Sequence, residues 1–404
     1  MSPCRPEVAD VFREHRTEFL ARYGASLSEE QKRALSDIER CRTAALGGHK
    51  WRCENCKHEE TSYNSCRNRH CPKCHAAARA KWLEAEADHL LPLEYFHLVF
   101  TLPADLGDLA LRNKRQIYGA LFRAAAEALA TVAADEKHLG AEIGFLAVLH
   151  TWGQNLQHHP HLHCVVPGGG LSPDRSRWIP CRKGFFLPVR VLSRLFRGKF
   201  LDILEKLRCS GKLFLGGALA QLDDPRVWRT FLRALRQHEW VVYSKPPFWG
   251  AAHVLKYLAR YTHGVAISNR RLISAVDGKV RFSWKDYAHG SKRRVMTLEA
   301  REFIRRFLLH VLPKGFVRIR HYGFLSNRSR DQRLEVIKAL ICESAMGDAT
   351  DLEQTTANAK PAAATAEVLD GPPCPRCQRG RLVLIGRVRP GGPTTATRTC
   401  NDTS

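Results

Sequence analysis

Two histidines stand one residue apart in the stretch His159-Pro160-His161-Leu162-His163-Cys164-Val165-Val166. Alternate side chains of an extended strand share a face, so His161 and His163 point the same way while Leu162 turns to the opposite side. Side by side, two neutral imidazoles form half of a divalent-metal site. Further along stands Tyr257-Leu258-Ala259-Arg260-Tyr261. A spacing of four stacks both phenols on one face of a helix. A phenol is a weak nucleophile at neutral pH unless a metal or a base lowers the barrier. A metal that polarises a phosphate, with two tyrosines in reach of it, is equipment for breaking and rejoining DNA strands through covalent links. Lys256 and Arg260 flank the phenols and can neutralise the phosphate or meet adjoining DNA.

Two ligands seldom hold an ion alone. Gln154 and His253, the latter one turn before Tyr257, are the candidates for a third. Val165 and Val166 stand where a hydrolase of the His-x-His-x-Asp-His kind would carry further ligands, which argues against that chemistry. Leu162 and Cys164-Val165-Val166 mark a buried strand, where polar groups are costly unless paired or liganded.

The cysteines suggest a second kind of metal site. Five of the 14 lie between Cys53 and Cys74 inclusive. The N-terminus has no apolar run of signal-peptide type, so a cytoplasmic protein is expected and a disulfide framework is not. Cys53-x2-Cys56 and Cys71-x2-Cys74 read as four thiolates on one structural zinc. Cys41, His49, Cys66 and His70 form a second set of four, giving one or two zinc ions. Cys374-Pro375-Arg376-Cys377 opens another knuckle, but only Cys400 follows, which leaves it short of a fourth thiolate.

These groups need elements to hold them. Apolar periodicity predicts helices at Val8–Tyr23 and Glu29–Cys41, the second opened by Ser28 with Gln31 three residues on, a capping-box arrangement. Helices are also expected at Ala76–Leu91, Leu106–Lys137, Val189–Leu207, Asp224–His238, Ala251–Thr262 and Glu299–Leu312. Strands are expected at Tyr95–Leu102, Ile143–Trp152, the histidine segment, Trp240–Tyr243, Arg293–Leu298 and Val317–His321. Arg271–Val276 and Lys279–Trp284 flank Asp277-Gly278, a hairpin turn signal. This order predicts an α+β fold with helices packed on a mixed sheet. From Ala349 to Pro373 the composition turns to Ala, Thr, Pro and Asp and reads as a flexible linker.

The formal net charge is +24, and 17 Lys and Arg against 5 Asp and Glu fall between Arg270 and Arg333. Such an excess points to a polyanionic partner, nucleic acid before membrane, since each phosphate contact releases counterions. Lys292, Arg293 and Arg294 are its densest cluster, and Phe282, Trp284, Tyr287, Phe316 and Tyr322 are interleaved as stacking candidates.

His161-Leu162-His163 followed by Tyr257-x3-Tyr261 resembles the HUH endonuclease signature in the two-tyrosine form of bacterial rolling-circle insertion-sequence transposases. Cys41-Arg-Thr, Leu46-Gly-Gly-His49 and Tyr63-Asn-Ser-Cys66-Arg-Asn-Arg-His70-Cys71-Pro-Lys-Cys74 resemble that family's N-terminal zinc-binding domain. Leu312-Pro-Lys-Gly-Phe316-Val317-Arg318-Ile-Arg320-His321-Tyr-Gly323 resembles its C-terminal portion. The resemblance implies an HUH-like antiparallel sheet bearing the histidines, Mg²⁺ or Mn²⁺ at the nicking site, and single-stranded transposon ends and target DNA as partners, with no membrane. It implies nicking and rejoining through 5′-phosphotyrosine links. The expected domains are 1–90 (helices and zinc), 91–345 (catalysis) and 346–404 (linker and incomplete knuckle). Two other readings are a plasmid replication initiator or relaxase, and a zinc-dependent nucleic-acid-binding regulator without catalysis.

Overall fold

Long apolar strands can be buried on both faces only at the centre of a sheet, and three such strands form the middle of this protein. In the computed structural model, residues 5–249, 253–254, 264–286, 289–326, 328, 330–347 and 371–391 are described. The central strands are β3 (Glu94–Thr101), β4 (Phe145–Trp152) and β5 (His158–Pro167). With β8 (Val242–Trp249) and β12 (Ile319–Tyr322) they make a five-stranded antiparallel sheet in the order β12-β4-β5-β3-β8. Alternation divides its two faces. Phe96, Leu98 and Phe100, Leu162, Cys164 and Val166, and Phe145, Ala147 and Leu149 enter the main core. Helices α5 (Lys114–Ala134) and α6 (Val189–Cys209) cover that face. By length and apolarity α5 could cross a membrane, but most of it is buried here, with Ile117, Leu121, Phe122, Ala125 and Leu129 in the core. Tyr95, Leu146, Val148 and Val165 belong to the opposite face, where the histidines also lie.

A second core forms beside the first. Helices α1 (Val8–Tyr23), α2 (Glu29–Arg40) and α8 (Ala300–Leu309) pack against a sheet of β9 (Leu272–Val276), β10 (Lys279–Asp286) and β11 (Lys292–Glu299). Ser28 caps α2, its Oγ accepting from Gln31 N at 3.3 Å while Gln31 Oε1 accepts from Ser28 N at 2.9 Å. The Gln31 amide also donates to Leu308 O at 2.9 Å, tying α2 to α8. Asp277 and Gly278 take φ of 53° and 69°, the conformation of a tight hairpin between β9 and β10. The N-terminal helices thus share a core with residues far along the chain, although the sequence groups them with the zinc segment.

The third unit is small. Strands β1 (Gly48–Cys53) and β2 (Glu59–Tyr63) form a hairpin, and β13 (Leu382–Val388) from the far end of the chain pairs with β1. The expected α+β fold with a cysteine-rich N-terminal unit and an antiparallel histidine-bearing sheet is what the chain forms. One strand is longer than expected: β8 runs on to Trp249 as an edge beside β3. β5 begins at His158, so Pro160 lies within the strand.

Candidate active site

The histidine pair sits at the centre of the large sheet. In register, His161 lies opposite His150 on β4, and His163 opposite Val148. Ligand atoms of His150, His161 and His163 all lie within 4.8 Å of one another. His150 is the third imidazole of this group, a place that His253 does not take. The backbone carbonyl of Gln154 accepts from Arg271, and the exposed His253 is not in this group. Strand register decides this, because a cross-strand neighbour is far away in sequence.

Hydrogen bonds fix which ring nitrogens are free for an ion. His161 Nδ1 lies 2.7 Å from His159 O, and a carbonyl can only accept, so Nδ1 carries the hydrogen and Nε2 keeps its lone pair. His163 Nδ1 is 2.8 Å from Nε2 of His97, a fully buried side chain on β3. That contact occupies His163 Nδ1, so Nε2 is the nitrogen left to ligate when Nδ1 carries the hydrogen and donates to His97, an outer partner of the site. Burial holds His161 down to about 4 and His97 to about 3, and pushes His163 well below its ordinary value. All three are therefore neutral at pH 7, the form that binds metal. His150 stacks on Trp152 with ring centroids 4.6 Å apart. Three converging imidazoles, with His161 and His163 held neutral, fit a divalent ion and leave coordination positions open for a phosphate.

His158 turns away from this trio: its Nε2 lies 2.8 Å from Tyr118 Oη. Tyr257, Tyr261, Lys256 and Arg260 lie outside the described residues. Val254, three residues before Tyr257, is described and fully buried. It packs with Val148 and Val165, on the same sheet face as the histidines.

The thiols are partitioned differently from the expectation. Cys41, Cys66, Cys71 and Cys74 converge within 4.8 Å of one another, and Cys53 and Cys56 converge with Cys374 and Cys377 instead. His49 and His70 belong to neither group. His49 lies beside Trp51, with ring centroids 6.2 Å apart, and His70 Nε2 accepts from Leu312 N at 3.3 Å. Local spacing could not resolve this, since two knuckles can join only where the folded chain brings them together. The sulfur separations of 3.5 Å (Cys41–Cys74) and 3.6 Å (Cys66–Cys74) are too long for disulfides. They are close to the edges of about 3.8 Å in a tetrahedron with Zn–S bonds of about 2.3 Å. Amides donate to the sulfurs, from Cys66 N to Cys41 and from Asn68 N to Cys66, both at 3.5 Å, which stabilises thiolates.

Between the metal groups, the zinc-domain and C-terminal motifs touch. Arg69 donates to Phe316 O at 2.6 Å and to Pro313 O at 3.0 Å, which together with the His70 contact docks the knuckle on the loop before β12. Phe282 and Phe316 are core residues rather than stacking surfaces, at 0% and 4% exposure. Tyr287 lies outside the described residues. Lys292, Arg293 and Arg294 are exposed on β11, and Arg294 is paired with the buried Asp286 at 3.2 Å.

Comparison with known proteins gives the chain's family. A family model described as "Transposase zinc-binding domain" matches residues 11–102, and one described as "Putative transposase" matches residues 144–333. A protein of Sinorhizobium fredii described as "Putative transposase y4qJ" is 54% identical over 388 residues, covering 95% of this chain and 96% of that protein. This chain belongs to the IS91 family of transposases. The transposase for insertion sequence element IS801 of Pseudomonas savastanoi pv. phaseolicola is 32% identical over 304 residues, covering 74% of this chain and 72% of that protein. No solved structure matches. As a transposase of this family the chain acts on DNA, and its N-terminal unit is a zinc-binding domain.

Proposed function

We propose that this transposase nicks and rejoins single DNA strands by metal-assisted tyrosine attack, as rolling-circle transposition requires. The observation that carries the reading is the convergence of His150, His161 and His163 on the sheet face that buries Val254, directly before Tyr257 and Tyr261. A bound Mg²⁺ or Mn²⁺ would polarise the scissile phosphate and stabilise charge developing on it. The three imidazoles would hold that ion, with His97 as acceptor for His163 Nδ1–H in the ligating tautomer.

In this reading the hydroxyl of one tyrosine attacks the scissile phosphorus. A bond forms from the phenolic oxygen to phosphorus, the bond from phosphorus to the 3′ oxygen breaks, and the phenol proton is lost while the leaving 3′ oxygen gains one. The product is a 5′-phosphotyrosine and a free 3′-hydroxyl, which keeps the bond energy for rejoining. A second tyrosine allows a second transfer without release. Lys256 and Arg260 neutralise the phosphate or adjoining DNA. The structural zinc of the N-terminal domain is assigned to Cys41, Cys66, Cys71 and Cys74. Transposase relatives along most of the chain favour this reading over a replication initiator, a relaxase or a non-catalytic regulator.

The test uses purified protein, labelled single-stranded element ends and Mn²⁺. A denaturation-resistant protein–DNA adduct is expected. It should be absent in Tyr257→Phe/Tyr261→Phe and in His161→Ala or His163→Ala, with DNA binding retained. Adducts formed by the double tyrosine variant, or full nicking in EDTA with zinc still bound, would overturn the reading.

A further inference from the structure

The tail knuckle lies against the N-terminal hairpin in an arrangement that repeats the hairpin's own. Cys53 Sγ is 3.7 Å from Cys377 Sγ, and Cys56 Sγ is 3.7 Å from Cys374 Sγ. All four sulfurs lie within 4.8 Å of one another, though 318 residues separate Cys56 from Cys374. In the first knuckle Lys57 N donates to Cys53 O at 3.2 Å, and in the second Gln378 N donates to Cys374 O at 2.9 Å. The residue after the second cysteine is left-handed in both, Lys57 with φ 57° and Gln378 with φ 55°. Each knuckle aims an amide at a sulfur, Cys56 N at Cys53 and Gly380 N at Cys377, both at 3.4 Å. The turn bond and the left-handed residue match position for position, and the two knuckles face each other as half-sites.

The surroundings are shaped to this approach. A Cβ on Gly380 would come within 2.7 Å of Cys53 Sγ, so the glycine lets the two knuckles close. Glu54 N donates to Arg381 O at 3.1 Å across the junction, and β13 then runs antiparallel to β1 from Leu382 opposite Cys53 to Val388 opposite Gly48. Among the described residues no His, Asp or Glu joins this group. A closed set of four thiolates suits a structural zinc and leaves no open position for catalysis.

We propose that Cys53, Cys56, Cys374 and Cys377 hold one Zn²⁺ that clasps the C-terminal segment onto the N-terminal hairpin. The clasp is a second metal site, independent of the Cys41, Cys66, Cys71 and Cys74 group and of the nicking chemistry. It closes the chain between its two ends, so the tail is part of the zinc unit rather than an appendage.

The test counts metal and asks what holds the tail. The full-length protein should carry two zinc ions, and Cys374→Ser/Cys377→Ser should carry one, with an unchanged far-ultraviolet circular dichroism spectrum. A specific protease site is then introduced between residues 351 and 370, and the chain is cut there. In zinc-containing buffer the tail fragment of the otherwise unmutated protein should co-elute with the body, and that of the double serine variant should elute apart. The ¹¹³Cd-substituted full-length protein needs no cysteine variant and should give two resonances of all-thiolate type. Unchanged zinc content in the serine variant, a tail that stays bound without its cysteines, or a single cadmium resonance would each overturn the clasp. None of these readouts depends on DNA cleavage, so their failure would leave the strand-transfer reading to its own assay.

Discussion

At the scale of single residues, His97 is the informative one. It is fully buried, neutral, and bound through Nε2 to Nδ1 of His163. Without it, His163 loses the partner that holds its Nδ1 and orients its ring. Outer partners of this kind typically contribute roughly 10–100-fold in metal affinity. His97→Ala should therefore raise the Mn²⁺ concentration for half-maximal nicking by about that factor, while saturating Mn²⁺ restores most of the rate. His163→Ala should not be rescued at any concentration. An unaltered Mn²⁺ requirement in a folded His97→Ala protein would reduce His97 to a packing residue. His97→Gln, which keeps a hydrogen-bonding group, should fall between the two.

At the scale of elements, the β9–β11 sheet sets exposed cations around a buried apolar set. Leu272, Val280 and Phe282 enter the second core, whereas Arg281, Lys285, Lys292, Arg293 and Arg294 are exposed. Arg294 is already paired with Asp286, so Lys292 and Arg293 carry more of the free attraction for phosphate. If this sheet holds DNA, replacing all three of Lys292, Arg293 and Arg294 with Gln should weaken single-strand binding similarly for every sequence. The slope of log affinity against log salt should flatten by about 0.7 for each phosphate that the variant no longer neutralises. Fluorescence anisotropy across a salt series measures it. An unchanged slope with the fold intact would move the DNA path to another face.

At the scale of the whole molecule, several histidines are folded in neutral. Burial holds His97, His158 and His310 each at about 3, against an ordinary value of 6.5. Among these, His310 is bound to Thr151 Oγ1 at 3.2 Å and Leu156 O at 3.1 Å, between the two cores. Between pH 6.5 and 3 the unfolded chain binds these protons and the folded one does not, so stability falls as pH falls through this window. With three such groups the slope approaches roughly 4 kcal/mol per pH unit near its steepest. Denaturant midpoints should accordingly drop between pH 7 and pH 5, and His310→Gln should remove one group's share of the dependence, up to roughly 1.4 kcal/mol per pH unit. A midpoint flat from pH 7 to pH 5 would contradict the neutral burial of these rings.

Local periodicity was sufficient for much of this protein. The alternation that puts His161 and His163 on one face is a property of a single strand, as are the Asp277-Gly278 turn and the Ser28 cap, and all three stand as the residues implied. Six of the cysteines were legible as three pairs, because Cys-x2-Cys is a local turn. What sequence left open was every choice of partner across distance. His150 became the third imidazole through the register of β4 against β5. His97 joined through β3. Cys53 and Cys56 met Cys374 and Cys377 through the return of β13 to β1, which took them away from Cys71 and Cys74. Likewise Phe282 and Phe316 have the composition of stacking residues but are buried, since the helices packed over them come from elsewhere in the chain. Residue type and spacing set what each segment can do chemically, and burial with strand order decided which segments do it together.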